Sequence, residues 1–394
     1  MSKLWLCSVF LTALPLVFLS SCGAAPEDHG KSEQVSGPGY LAYFGTYTRS
    51  DSAGIYVYDF DAGSGKLAEI GLAAEASNPT FLAVHPNNRF LYAVAEDREG
   101  AVGAYSIEQP GGKLQLLNEV PSHGAGPCHL SVDATGKMLV VANYSSGSVA
   151  SFPIHEDGSL GKAASVIQHK GSSVNPARQK GPHAHMAVFS PDNRFVIVDD
   201  LGLDKLFIYK ADPATATIKP NDPPFVKVAP GSGPRHFVFH PSGHYGYANT
   251  EMGNTITAFT YDAEHGSLKQ IQTISTVPDD FAGVSYTAEI EIDQAGKFLY
   301  VSNRGHDSIA VFSIDAATGK LTPVERVSTQ GKNPRHFALD PTGDFLIAEN
   351  QDTSNVVEFR VDQATGKLTP AGQKLEIPIP VCLVFVPKQS KTGN

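Results

Sequence analysis

Tryptophan is nearly absent from this 394-residue chain, which has one, and cysteine numbers only four. So few cysteines cannot staple a chain of this length, which excludes a disulfide framework. No block of Lys or Arg occurs, and 30 basic against 40 acidic residues leave a formal net charge of −10. That balance excludes the basic footprint of a nucleic-acid-binding protein. No amphipathic helical pattern of useful length appears, and after residue 21 no apolar run is long enough to span a bilayer. A Gly-rich phosphate loop ahead of a helix is missing, as is the serine-hydrolase elbow. Turn formers, by contrast, are plentiful: 37 Gly and 27 Pro. With 41% hydrophobic residues, the chain is neither disordered nor a helical bundle, and a long all-β unit fits.

The N-terminus accounts for the lone tryptophan. Residues 1–21 combine Lys3, an apolar run from Leu4 to Leu19 broken by Ser8 and Pro15, and the small Ser20 and Ser21. This is the pattern of a secretory signal rather than a membrane span. Leu19-Ser20-Ser21-Cys22 resembles a bacterial lipoprotein cleavage box. The resemblance implies cleavage before Cys22 and lipidation of its thiol. Gly23 rather than Asp follows, which by the same analogy implies the periplasmic face of an outer membrane. Stable anchoring needs more than one acyl chain, which such lipoproteins carry. Cleavage removes Trp5 and Cys7 and commits Cys22, leaving Cys128 and Cys382. The expected organisation is a signal peptide over 1–21, a flexible tether over 22–38, a folded domain over 39–387 and a tail over 388–394.

Two short turns repeat through the folded part. The first is His85-Pro-Asn-Asn-Arg-Phe90, then Asp133 to Met138, Ser190 to Phe195, His240 to Tyr245, Asp293 to Phe298 and Asp340 to Phe345. The intervals are 48, 57, 50, 53 and 47 residues. Pro presets φ in these turns, and Gly or Asn takes the left-handed position. An apolar strand such as Phe90-Leu-Tyr-Ala-Val-Ala95 follows each. The second turn is Gly-x-Leu, at Gly65, Gly112, Gly158, Gly266, Gly319 and Gly366, each after an alternating strand. The fourth unit is irregular, with four Pro between Asp212 and Pro224 and no Gly-x-Leu turn. Units of about 50 residues with four strands each are the arithmetic of a β-propeller. Six whole units plus two remainders predict seven four-stranded blades. The segment 378–386 reads as a first strand with nothing after it, and 41–47 as a second strand with nothing before it. Their pairing would close the ring and leave no large free edge. Tandem sandwiches, the competing architecture, would not need this split seventh unit.

In a propeller the first strands line the central channel, so the polar residues at their starts, and at the ends of the second strands, are the functional candidates. The starts read Gly126-Pro-Cys-His129, Gly181-Pro-His-Ala-His185, Gly233-Pro-Arg-His236, Tyr286-Thr-Ala-Glu289 and Asn333-Pro-Arg-His336. The second-strand ends include Glu96-Asp97, Asn143-Tyr144, Asp199-Asp200, Glu251, Asn303-Arg304 and Glu349-Asn350. Plainer readings exist for several of these residues. A His at a strand start can simply bond a neighbouring carbonyl (His129, His336). Arg235 and Arg335 occupy equivalent positions and can tie adjacent blades, and Glu251 can serve as an ordinary ion pair. His183 and His185, two apart on one strand, would share a face suited to a metal. No third ligand is specified, so no metal or other cofactor is expected. Cys128 reads as a small core residue rather than a nucleophile.

Several stretches, in order and in blade register, resemble the seven-bladed propeller lactonases, a family that includes propeller-type 6-phosphogluconolactonase and, as a relative, the carboxy-muconate lactonizing enzyme. They are Tyr43-Phe-Gly-Thr-Tyr-Thr48, Gly54-Ile-Tyr56, Pro182-His-Ala-His185, Gly233-Pro-Arg-His236, Asn249-Thr-Glu251, Tyr300-Val-Ser-Asn-Arg-Gly305 and Asn333-Pro-Arg-His-Phe337. The resemblance covers 40–387. It implies lactone hydrolysis with His185, Arg235, Glu251 and Arg304 as the catalytic set. His129, His183, His236, Arg335 and His336 are the expected substrate-binding residues. The residue types suit the reaction. A His can move a proton near neutral pH, Arg can hold an oxyanion, carboxylate or phosphate, and Glu can orient either. The implied partners are a small-molecule sugar-acid or related lactone and the membrane, through Cys22; the chain is expected to be a monomer. A non-catalytic propeller presenting its rim to a protein or glycan is the alternative.

Overall fold

Each Pro/Gly turn joins the innermost strand of a blade to its second strand, and each Gly-x-Leu turn that pairs in a hairpin joins the third to the outermost. The computed structural model describes residues 39–389, which carry 28 strands and no helix. The expected signal peptide, the lipid site Cys22 and the tether up to residue 38 lie outside the described residues, as do 390–394. Seven four-stranded antiparallel sheets form a seven-bladed β-propeller. Blade 1 takes its innermost strand, Pro380–Pro387, from the C-terminus and adds Gly39–Thr46, Gly54–Asp61 and Leu67–Glu75. Blades 2 to 7 follow in chain order over 82–121, 127–168, 184–227, 234–275, 286–328 and 334–376. The closing pair sets Ala42 opposite Phe385 and Phe44 opposite Leu383.

The core lies between blades. One cluster joins Phe298, Tyr300, Ile309 and Val311 of blade 6 to Phe337, Leu346, Ala348 and Phe359 of blade 7, and six comparable clusters complete the ring. The repeated turn glycine has its explanation here. Tyr43, Tyr92, Tyr247 and Tyr300, all fully buried, donate their hydroxyls at 2.9 to 3.1 Å to the carbonyls of Gly112, Gly158, Gly319 and Gly366 in the next blade. A side chain at the glycine would collide with the neighbouring blade. At Gly366, with φ of +72°, a Cβ would sit 2.4 Å from the Phe298 ring.

Two units depart from the sequence pattern. In blade 3 the Gly158 turn yields only an isolated bridge between Ile154 and Leu160, and the outer strand is deferred to Ser165–Gln168. In blade 4 the proline-rich segment still forms an outer strand, Thr217–Lys227, with a register shift in its pairing. An outermost strand tolerates Pro because its free edge needs no donor.

Replacing Tyr300 by Phe leaves the buried Gly366 carbonyl without its donor. The expected loss, measured by denaturant unfolding, is about 1–3 kcal/mol; unchanged stability would contradict the inter-blade bond.

Candidate active site

The innermost strands do not alternate simply at the channel mouth. In blades 3, 4, 5 and 7 the register slips by one residue near the start, so that Cys128, His185, Arg235 and Arg335 each stand in a β-bulge. Blade 6 slips at the corresponding place, between Thr287 and Ile290. A bulge re-aims the inserted side chain. It divides each Pro-x-x motif between two layers. Cys128, His185 and Arg335 line a cavity of about 300 Å³ at the mouth, and the residues that follow them, His129, Met186 and His336, do not. Glu96, Tyr144, Arg178, Glu251, Tyr286 and Arg304 complete its wall.

Glu251 organises this wall. Its Oε1 accepts from Arg178 Nη2 at 2.7 Å, its Oε2 lies 2.8 Å from Arg304 Nη2, and Arg235 Nε approaches the same oxygen at 3.4 Å. Burial alone would raise its pKa, but Arg304, Arg235 and Arg178 overcome that and lower it to about 2. Glu251 is therefore a fixed anion and a poor base. Arg235, only 3% exposed, stands behind the cavity wall and donates to the Ala288 carbonyl at 2.6 Å. Burial, with Arg304 and Arg335 nearby, lowers its pKa to about 9, so it stays cationic at neutral pH. Among the described residues, the Arg335 guanidinium has no hydrogen bond or ion pair; it lies over the Tyr47 ring at 5.6 Å. Tyr47 in turn donates to Glu96 at 3.0 Å. Four guanidinium groups thus face two carboxylates, Glu96 and Glu251. The mouth is electropositive on a chain of net charge −10.

His185 is buried at the cavity wall, and its Nδ1 has no partner. Burial holds its pKa well below the ordinary histidine value, and Arg235, His236, Arg335 and Arg304 add to the effect. The resting ring is neutral, with no other described residue hydrogen-bonded to it. Cys128 donates its thiol to the His185 carbonyl at 3.2 Å, and burial pushes its pKa up, as suits a packing residue rather than a nucleophile.

The structure separates the other candidates from the cavity. His129, His236 and His336 form the deeper layer around Phe81, with ring centroids 4.1, 6.0 and 6.0 Å from it. His183 precedes the strand Ala184–Phe189 instead of sharing it, and the bulge at His185 breaks the alternation that was expected to align the two rings. His183 donates from Nδ1 to the Tyr144 carbonyl at 2.9 Å and stacks on the Tyr144 ring. Among the described residues no group of three or more His, Cys, Asp or Glu is arranged to hold a metal ion.

Arg178 was not among the sequence candidates. It comes from a strap over residues 169–183 between blades 3 and 4. His169 anchors the strap, with Nδ1 2.6 Å from Asp200 and Nε2 2.7 Å from the Tyr209 hydroxyl. Gln179 donates to the Leu201 carbonyl at 2.8 Å and to Asp204 at 2.9 Å. Asn175 folds the turn by accepting from the backbone N–H groups of Ala177 and Arg178. The interval of 57 residues, the longest in the repeat, is the trace of this strap in the sequence.

A family model described as "Lactonase, 7-bladed beta-propeller" matches residues 41–385. A 6-phosphogluconolactonase of Bacillus subtilis is 43% identical over 299 residues, covering 76% of this chain and 84% of the relative. One from Formosa agariphila is 36% identical over 307 residues, with 75% and 85% covered. Among solved structures, a periplasmic gluconolactonase of Pseudomonas aeruginosa is 36% identical with a TM-score of 0.84, over 88% of this chain and 99% of that one.

Proposed function

The chain belongs to the lactonase family of seven-bladed β-propellers, enzymes that hydrolyse lactone esters, and on that premise we propose that it opens an anionic sugar-acid lactone to the hydroxy acid. The observation that carries this reading is the cavity itself: three arginines, one neutral histidine and the carboxylates of Glu96 and Glu251 line about 300 Å³, and a fourth arginine, Arg235, stands behind Glu251. An uncharged lactone draws little from an excess of guanidinium groups, whereas a carboxylate or phosphate on the sugar chain does.

In the proposed mechanism Arg335, whose guanidinium has no hydrogen bond or ion pair among the described residues, and Arg178, brought by the strap, hold the anionic substituent. Water attacks the lactone carbonyl carbon as His185 takes its proton, and Arg304 faces the oxygen on which negative charge grows. When the tetrahedral intermediate collapses, the ring C–O bond breaks and His185 returns the proton to the departing oxygen. The net change is addition of one water across one ester bond. The low pKa of His185 makes it a weak base in the empty site and a strong acid once protonated. A bound anion offsets the neighbouring arginines and raises it toward working pH. Glu251 holds Arg178, Arg304 and Arg235 in place.

His185→Ala is expected to lose at least about 100-fold in kcat with a smaller change in KM, the usual scale for a positioned proton-transfer group. Equal rates for the two proteins would remove His185 from the mechanism. The sign of the pH dependence follows from its lowered pKa. The neutral base persists as pH falls past the ordinary histidine value and is lost only as pH falls through the lowered one. With an uncharged gluconolactone, kcat/KM after subtraction of spontaneous hydrolysis is expected to be the same at about pH 7 and about pH 6. An acid limb centred on the ordinary histidine pKa would contradict this assignment.

We further propose that the enzyme is exported and held by lipid on Cys22, acting as a monomer at a periplasmic membrane face. The lipoprotein-like box at Leu19–Cys22 supports this, as does the periplasmic description of the Pseudomonas aeruginosa relative. Cys22→Ser should move the activity from the membrane to the soluble fraction; activity that stays with the membrane would rule out this anchor.

A further inference from the structure

Beneath the cavity a second set of ionisable groups runs inward from Arg235, and the catalytic scheme above makes no use of it. Arg235 Nη1 lies 3.2 Å from His236 Nε2. A guanidinium only donates, so Nε2 of His236 is the acceptor and its proton is on Nδ1. That proton is donated to Glu289 Oε1 at 3.1 Å. The other oxygen of Glu289 lies 3.5 Å from His336 Nε2, and Nδ1 of His336 lies 3.1 Å from Glu349 Oε1. All these side chains are nine-tenths or more buried. The series alternates: guanidinium, neutral imidazole, carboxylate, imidazole, carboxylate. His336 sits between two carboxylates, which overcome the opposing effect of burial and raise its pKa to about 9. His236 is held neutral, with its pKa lowered to about 4 by burial, Glu289 opposing and Arg235 reinforcing. The other titratable rings facing His236 are His129 and His185, at 5.4 and 5.1 Å between centroids.

We propose that His236 and Glu289 are positioning residues for Arg235, and through it for Glu251 and the cavity arginines. Arg235 is tied to blade 6 twice, by its bond to the Ala288 carbonyl and by the His236–Glu289 link to the very next residue. Its Nε toward Glu251 is otherwise without a partner. The guanidinium plane is therefore set from below, and Glu251 receives it in that plane. If His236 flipped its tautomer, an N–H would face the guanidinium and push it away. The β-bulge in blade 5 makes the arrangement possible, because it places Arg235 behind the wall, against Glu251, with His236 beside its guanidinium.

This inference rests on the lactonase reading, and its test separates the two. The purified protein is compared with His236→Phe, His236→Gln and Glu289→Gln by steady-state hydrolysis of an anionic sugar lactone, with melting temperature as the folding control. His236→Phe keeps a ring of similar size and loses both hydrogen bonds. It is expected to lower kcat about tenfold or more, with KM changed less, because misplaced groups cost transition-state stabilisation. His236→Gln, whose amide can accept from Arg235, is expected to recover part of that loss, which a packing role would not produce. Glu289→Gln alters one atom and is expected to lower kcat in the same direction; it remains informative if the Phe variant does not fold. Wild-type rates in folded His236→Phe or Glu289→Gln overturn the inference alone. No hydrolysis by the wild-type protein overturns the lactonase reading and this inference with it.

Discussion

A single buried carboxylate with three guanidinium groups around it governs the mouth of this propeller. Glu251 is 5% exposed, and such a charge survives away from water only when it is paired and hydrogen-bonded. The three arginines come from three places: the strap before blade 4, the innermost strand of blade 5 and the second strand of blade 6. Each is held near the others, against their mutual repulsion, because Glu251 stands between them. The same pairing makes Glu251 a poor base, and in the proposed mechanism the proton transfer falls to His185, whose ring is hydrogen-bonded to no other described residue. One ion cluster thus fixes the division of labour in the cavity.

The framework that delivers these groups is repetitive, and its irregularities carry the function. Seven blades pack through buried apolar clusters, and four of their interfaces add a tyrosine-to-glycine hydrogen bond. Within the channel wall, bulges near the starts of six inner strands break the alternation of side chains. Regular alternation would have sent neighbouring residues such as Arg235 and His236 to opposite faces. The bulge brings them together instead, with Arg235 against Glu251 behind the cavity wall and its guanidinium on the His236 ring. The departure from the repeat between blades 3 and 4 supplies the fourth arginine.

Most of the fold was legible from the chain. Pro/Gly turns and Gly-x-Leu turns fixed the strand count, and the unmatched segments at the two ends showed how the ring closes. His185, Glu251, Arg304 and Arg335 were legible because they recur at strand ends in register. The layering was not. A bulge leaves no mark in hydrophobic periodicity, so His129, His236 and His336 were grouped with the substrate-facing residues, whereas the structure places them around Phe81 below the cavity. Arg178 was missed because it belongs to no repeat; only the long interval betrayed the strap. The lowered pKa of His185 was also out of reach, since it depends on burial and on arginines distant in sequence.

The central claim is that this cluster selects a negatively charged lactone. The direct measurement is the ratio of kcat/KM for a phosphorylated or carboxylated sugar lactone to that for the uncharged gluconolactone, at low and high salt. The account predicts a ratio of at least about ten at low salt, as expected when a forked charge-assisted contact is gained, and a fall as salt screens it. Equal kcat/KM for charged and uncharged lactones at every salt concentration would contradict it.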